Sequence, residues 1–321
     1  MGQSGSTKIS IAAGLLVALA TSSARASSRS PGCGQSPRIS GAGLHDLRLE
    51  SGGLDRIFAV SVPSHYNHSH AYPLIFDYHG HHDSYREQYL NSMYFDYPAG
   101  REYIVVYPEG YHMAWEGPRY ARKGVDDLAF TMDLLAHVEV EYCIDESRVY
   151  ASGKSNGAGL VDILACSEEG NAFAAFAMAS PALYRDHNFE DCRRKRAILE
   201  SHGDADLLVS YHGNTSSHHY GGTTPDIGEW IGWWGQRDCG LDAKAEVSGD
   251  LGGYHMTTYS RNGLEMVKHY RVKHLEHCWP CMNGRNTDAK RQIRHGHYND
   301  ESLDFTAVVL ERFGEWSLAI A

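Results

Sequence analysis

Arg148-Val149-Tyr150-Ala151-Ser152 runs straight into Gly153-Lys154-Ser155-Asn156-Gly157, and a helical pattern follows. Nothing else in the chain restricts its fold as tightly. An apolar strand, a turn with glycine two residues either side of a serine, and a helix make a sharp bend whose backbones pass closely. The serine then sits at a helix N-terminus, where free N–H groups and the helix dipole favour an oxyanion. Ser155 is therefore the candidate nucleophile. The plainer alternative is a Gly/Ser turn whose Ser155 only caps the next helix.

The rest of the chain supplies a fold for that bend. Apolar runs predict strands over Ile57–Val62, Leu74–Tyr78, Tyr103–Tyr107, Arg148–Ala151, Phe173–Met178, Ala197–Glu200 and Lys268–Val272. Helical periodicity predicts helices over Val125–Val140, Asn156–Ala165, Ile227–Arg237 and Asp304–Leu318. In the first of these, Val125, Leu128, Ala129, Met132, Leu135 and Ala136 form one apolar stripe. Strands that are apolar throughout, with helices between them, give an α/β protein with a mostly parallel central sheet and helices on both faces. No repeat or low-complexity tract divides the chain.

A serine needs a base, and the base needs an orienting acid, in the chain order Ser, Asp or Glu, His. The strand ending at Glu200 leads through Ser201-His202-Gly203 to Asp204 and Asp206, with Asp206 the preferred acid and Asp204 its rival. His277 lies just past the strand Lys268–Val272, and His274 competes with it. An oxyanion hole takes one backbone N–H from the residue after the serine and one from the loop after an early strand. Asn156 supplies the first and His81, in His79-Gly80-His81-His82, the second. Trp115 is the candidate substrate-binding aromatic, among Trp233, Trp234 and Trp279, although most tryptophans pack cores.

The N-terminus reads as an address. Met1–Lys8 is polar, Ile9–Ala20 is a twelve-residue mostly apolar run, and Ala24-Arg25-Ala26 offers a cleavage site. Residues 1–26 are the expected signal peptide, and 27–321 the single catalytic domain. The apolar run falls short of the roughly 20 residues that span a bilayer. The N-myristoylation pattern of Met1-Gly2-Gln3-Ser4-Gly5-Ser6 is the rival. Losing Lys8 and Arg25 leaves 27 bases against 40 acids, a charge of −13. That acidity argues against nucleic acid or an anionic membrane as partner. Secretion favours disulfides and makes Asn67 and Asn214 glycosylation acceptors. Cys143, before the nucleophile strand, and Cys166, three turns down the following helix, return to the same end of the sheet and are expected to pair. His274, His277, Cys278 and Cys281 permit a zinc reading, a different chemical class, but no second Cys-x-x-Cys or His-Glu-x-x-His accompanies them. No metal or cofactor is expected.

With those residues in place, the chain resembles the secreted type C feruloyl esterases, within a wider set that includes polyhydroxybutyrate depolymerase-like esterases. Gly124-Val125-Asp126-Asp127, Tyr142-Cys143-Ile144-Asp145, Arg148-Val149-Tyr150 and Gly153–Gly157 carry the resemblance. Tyr107-Pro108-Glu109-Gly110, His202-Gly203-x-x-Asp206, His277-x-Trp279-Pro280, Asp304-Phe305-Thr306-Ala307 and Gly32-Cys33-Gly34 add to it. The resemblance implies an α/β-hydrolase fold, with Ser155, Asp206 and His277 as nucleophile, acid and base. It also implies feruloyl or related hydroxycinnamoyl esters of plant cell-wall polysaccharide, or small phenolic esters, as substrates. Departures fall at Ser201, Glu276 and Cys278 and in the His/Ser-rich loop 212–222, and bear on the acyl pocket. An acetyl-xylan esterase or polyhydroxyalkanoate depolymerase on the same scaffold is the alternative, and an inactive secreted binding protein a further one.

Overall fold

The computed structural model describes residues 29–39, 41, 43–184, 192–216, 220–295 and 303–320. The expected signal peptide lies outside them.

Among the described residues, ten strands form one sheet in the order β1-β2-β4-β3-β5-β6-β7-β10-β9-β8. They are β1 (Gly43–Ser51), β2 (Leu54–Val62), β3 (Tyr72–Tyr78), β4 (Ile104–Pro108) and β5 (Ile144–Lys154). Then come β6 (Ala175–Ala179), β7 (Ile198–Gly203), β8 (Glu246–Val247), β9 (Tyr254–Arg261) and β10 (Leu264–Val272). The middle of the sheet, from β4 through β3, β5, β6 and β7 to β10, is parallel throughout. Antiparallel pairs close both edges, β1 and β2 on one side and β9 and β8 on the other. Every residue of β3, β4, β6 and β7 is buried, so both faces of the sheet's middle are covered. That explains why these strands read as continuous apolar runs, whereas the edge strand β1 alternates and escaped sequence reading.

Among the described residues, six α-helices accompany the sheet: α1 (Tyr85–Ser92), α2 (Asp127–Glu141), α3 (Asn156–Cys166), α4 (Ile227–Cys239), α5 (Thr287–His295) and α6 (Phe305–Glu315). Asp126, Asp226 and Asp304 cap α2, α4 and α6, each accepting from a backbone N–H one turn in. Helix α3 packs against β3, β5 and β6, α4 against β9 and β10, and α6 against β6 and β7. This is the α/β-hydrolase fold.

Two disulfides correct the expected Cys143–Cys166 pair. Cys143 bonds Cys33, and Cys166 bonds Cys192. The N-terminal segment reaches Cys143 first, because Ser30 and Gly32 hydrogen-bond the backbone of Ile144 and Glu139. Cys166 ends α3 and meets the segment that leads into β7. Both new partners come from irregular chain, where no periodicity marks position. Among the described residues, no helix is long and apolar enough to cross a membrane.

Candidate active site

Ser155 stands between β5 and α3 with φ 54° and ψ −120°, a conformation L-residues rarely adopt. Its backbone is held by Ala179 O, which accepts from Ser155 N at 2.9 Å, and by Ala182 N, which donates to Ser155 O at 3.0 Å. Unlike the aspartates at the other helix starts, its side chain makes no cap hydrogen bond. A Cβ on Gly153 would lie 2.8 Å from the Gly157 carbonyl carbon, and one on Gly157 only 2.4 Å from the carbonyls of Tyr78 and His79. Both glycines of the motif are therefore steric requirements, and the second lets the loop after β3 lie against the bend.

That loop holds the other expected oxyanion donor. A Cβ on Gly80 would come 3.3 Å from Ser155 Cβ, which sets His81 one residue from the serine. Among the described residues, no hydrogen bond engages the backbone N–H of His81 or of Asn156. His79 is fully buried, and its ring fixes the loop: Nδ1 pairs with Gly80 O at 2.7 Å and Nε2 with Gly110 N at 2.9 Å. Burial pushes this imidazole down to about 4, so it is neutral and can accept from Gly110.

Trp115 does not line a substrate surface, contrary to expectation. It is fully buried, its indole N–H donating to His79 O at 2.8 Å. Its backbone N–H donates to Asn156 Oδ1 at 2.8 Å, and Asn156 Nδ2 donates back to Trp115 O. Trp115 thus clamps the loop after β3 to the start of α3. Trp234 and Trp279 are also fully buried.

The acid and base come from the ends of β7 and β10. Asp206 Oδ2 lies 2.7 Å from His277 Nδ1, and Oδ1 accepts from Leu208 N and Val209 N. Asp204 instead accepts from the backbone N–H of His274, whose side chain is exposed. The pairing is therefore Asp206 with His277, and Asp204 shapes the turn. A Cβ on Gly203 would strike Leu275 O at 2.0 Å, so glycine lets the two loops cross. Burial works against the charge on Asp206, but His277 and His202 beside it hold the carboxyl far below its ordinary range. Ser180, whose N–H donates to Ser201 O and whose hydroxyl lies 3.4 Å from Cys278 O, joins the Ser155 side to the His277 loop. No hydrogen bond between Ser155 and His277 is present among the described residues.

Sequence reading missed two clusters. Glu200, His202 and His269 are buried behind Asp206. Four rings stack from the loop whose Gly80 lies against Ser155: His82 on His81 at 3.8 Å, His81 on Tyr120 at 3.9 Å and Tyr120 on Tyr220 at 5.1 Å. The rings come from three separate loops, which hid the stack. Arg119 N donates to Gly221 O at 3.1 Å and ties two of those loops together. Of the departures from the resembled pattern, Ser201 is fully buried and does not line the site. The cysteines and histidines of the zinc reading form no metal-binding group among the described residues.

Together the fold and these loops define an α/β-hydrolase with a serine bend and an Asp–His pair on the C-terminal ends of its parallel strands. The chain is similar to a probable feruloyl esterase C of Aspergillus clavatus, 30% identical over 48% of this chain and 54% of that protein. It is also similar to feruloyl esterase D of Neurospora crassa, 28% identical over 52% of this chain and 59% of the other. It thus spans about half the length of these curated relatives. Among solved structures, an acetyl xylan esterase from Aspergillus awamori shares the fold, with a TM-score of 0.52 and 13% identity over 80% of this chain and 100% of that one. No family model matches the chain.

Proposed function

We propose that this protein is a secreted serine esterase that hydrolyses feruloyl and related hydroxycinnamoyl esters of plant cell-wall polysaccharides. The observation that carries the reading is the Asp206–His277 hydrogen bond of 2.7 Å on the same rim of the sheet as the strained, uncapped Ser155. Similarity to feruloyl esterases C and D supports the substrate class.

Ser155 Oγ attacks the ester carbonyl carbon while His277 Nε2 takes the hydroxyl proton. Asp206 holds the other ring nitrogen and stabilises the imidazolium. The N–H groups of Asn156 and His81 receive the oxyanion of the tetrahedral intermediate, each donor contributing roughly 3–4 kcal/mol at the transition state. Collapse breaks the C–O bond to the sugar, and the leaving oxygen takes the proton from His277. Water, deprotonated by His277, then releases the carboxylic acid from Ser155. The His277–Ser155 hydrogen bond closes when substrate is in place, as such bonds commonly do.

The His82–His81–Tyr120–Tyr220 stack favours an aromatic acyl group over acetate. Tyr220 is 68% exposed, and its free face offers a flat ring surface next to the loop carrying His81. Two disulfides and an exposed Asn67 in an N-x-S triplet suit an extracellular enzyme; Asn214 is half-buried. Residues 27–321 are read as one catalytic domain that needs no metal or cofactor. A panel of methyl ferulate, methyl caffeate, acetylated xylan and a hydroxybutyrate oligomer tests the assignment. Methyl ferulate or caffeate should be the best substrate. Cleavage of the acetylated xylan or the oligomer alone would overturn the feruloyl reading.

A further inference from the structure

Behind the Asp206 carboxylate runs a buried line of polar side chains that ester hydrolysis by Ser155, His277 and Asp206 does not by itself require. Glu200 and His202 are two apart on β7 and face the same side. His269 stands opposite Glu200 in the β7–β10 register, and its Nδ1 bonds Glu200 Oε2. Tyr211 Oη lies 2.9 Å from His269 Nε2. Glu200 and His202 are fully buried, and His269 and Asp206 nearly so.

The hydrogen-bond inventory of His202 decides its charge. Nε2 lies 2.8 Å from Val209 O and 3.4 Å from Asp206 Oδ2; Nδ1 lies 3.2 Å from Glu200 Oε1. Carbonyl oxygens and carboxylates only accept, so each ring nitrogen must carry a proton. His269 differs, because Tyr211 can donate to one of its nitrogens and a single proton satisfies the other. We infer that His202 is a permanently charged imidazolium, wedged between Glu200 and Asp206, and acts as a positioning residue that keeps Asp206 ionised and aimed at His277.

Two carboxylates cannot both stay ionised in so dry a place without a cation between them. Burial alone would push His202 down, but hydrogen bonds to Asp206 and Glu200 overcome it and raise the imidazole to about 10. Burial likewise opposes the Glu200 charge, and His269 and His202 hold it down. Another charged group packed nearby is Arg271, opposite His202 on β10, whose guanidinium covers the Tyr211 ring at 4.4 Å. Tyr211 also feels Asp226 and Asp204.

The part played by Asp206 rests on the esterase reading; the charge on His202 does not. Imidazole 15N NMR on the labelled wild-type protein tests that charge directly. Both His202 nitrogens should show the protonated shift at pH 8, and a neutral tautomer there would overturn the inference. Kinetics test the role. His202→Gln keeps a donor but loses the charge, so protonation of His277 becomes easier. The acid limb of kcat/KM should move up by roughly one pH unit. A folded His202→Gln whose rate falls with the acid limb unmoved would reduce His202 to packing and overturn the role. Wild-type hydrolysis by Ser155→Ala would remove the esterase reading alone, and the NMR result would still stand on its own.

Discussion

Lys154 and Asp288 form a buried ion pair, Nζ to Oδ1 2.9 Å, directly before Ser155 in the chain. The same carboxylate accepts from Trp279 N at 2.9 Å and from Asn91 Nδ2 at 3.0 Å. One aspartate on α5 thereby joins the end of β5, the loop two residues past His277, and α1. Its side chain is 4% exposed and that of Lys154 6%, so neither charge has water to fall back on.

Asp288→Asn strands the Lys154 ammonium in the interior. Breaking a buried pair in this way costs about 3–5 kcal/mol. Urea unfolding should show that loss, and kcat should fall more than KM changes, because the serine and the histidine lose a shared anchor. Lys154→Met combined with Asp288→Asn should recover part of the stability. Equal stability of the single variant and the wild type would refute the argument.

Trp115→Phe keeps an aromatic ring but removes the indole N–H that holds His79 O, along with the volume of the second ring. The orphaned carbonyl should cost about 1–3 kcal/mol. Loosening of the His81 loop should lower kcat by roughly tenfold to a hundredfold with little change in KM. A raised KM with unchanged kcat would instead return Trp115 to the substrate-binding role expected from sequence.

Asp162 on α3 is buried, and its Oδ1 accepts from Trp234 Nε1 at 3.1 Å. Burial raises its carboxyl from 3.8 to about 7. The folded state therefore holds this proton more tightly than the unfolded chain does. The stability this contributes is complete below about pH 4 and fades as pH rises towards 7. Asp162→Asn keeps the acceptor and cannot ionise. Its stability relative to wild type should climb between pH 4 and 7 and then level off, with Tm at pH 8 higher by roughly 2–4 °C. A difference independent of pH would contradict the assignment.

Cys33–Cys143 closes a span of 110 residues. Removing it with Cys33→Ala should cost about 4–5 kcal/mol by loop-closure entropy. Denaturant midpoints with and without the substitution measure it, and an unchanged midpoint would show the bridge to be dispensable.

How much of this could be read from sequence follows from the range of the interactions. The serine bend was legible because Gly153 and Gly157 answer to backbone contacts a few residues away. The central strands were legible because burial on both faces makes Ile104–Tyr107 or Phe76 and its neighbours apolar without interruption. The strand β1, half-exposed at the edge, offered no such run. Asp206 and His277 were chosen by their distance past strands, and these two side chains share a hydrogen bond, while the rivals Asp204 and His274 are joined through the His274 backbone N–H. Glu200, His202 and His269 looked like ordinary polar residues, since their meaning lies in a register between two strands 69 residues apart at Glu200 and His269. Trp115 and the cysteine partners failed for the same reason: burial of one ring, and the meeting of two irregular segments, are set by tertiary packing.

The central claim is that Ser155 forms the acyl-enzyme. It is tested most directly by kcat/KM for methyl ferulate in the wild type and in Ser155→Ala, with folding of both checked by circular dichroism. The account predicts a fall of roughly 10⁴-fold or more in the variant. A folded Ser155→Ala that hydrolyses methyl ferulate at the wild-type rate would contradict it.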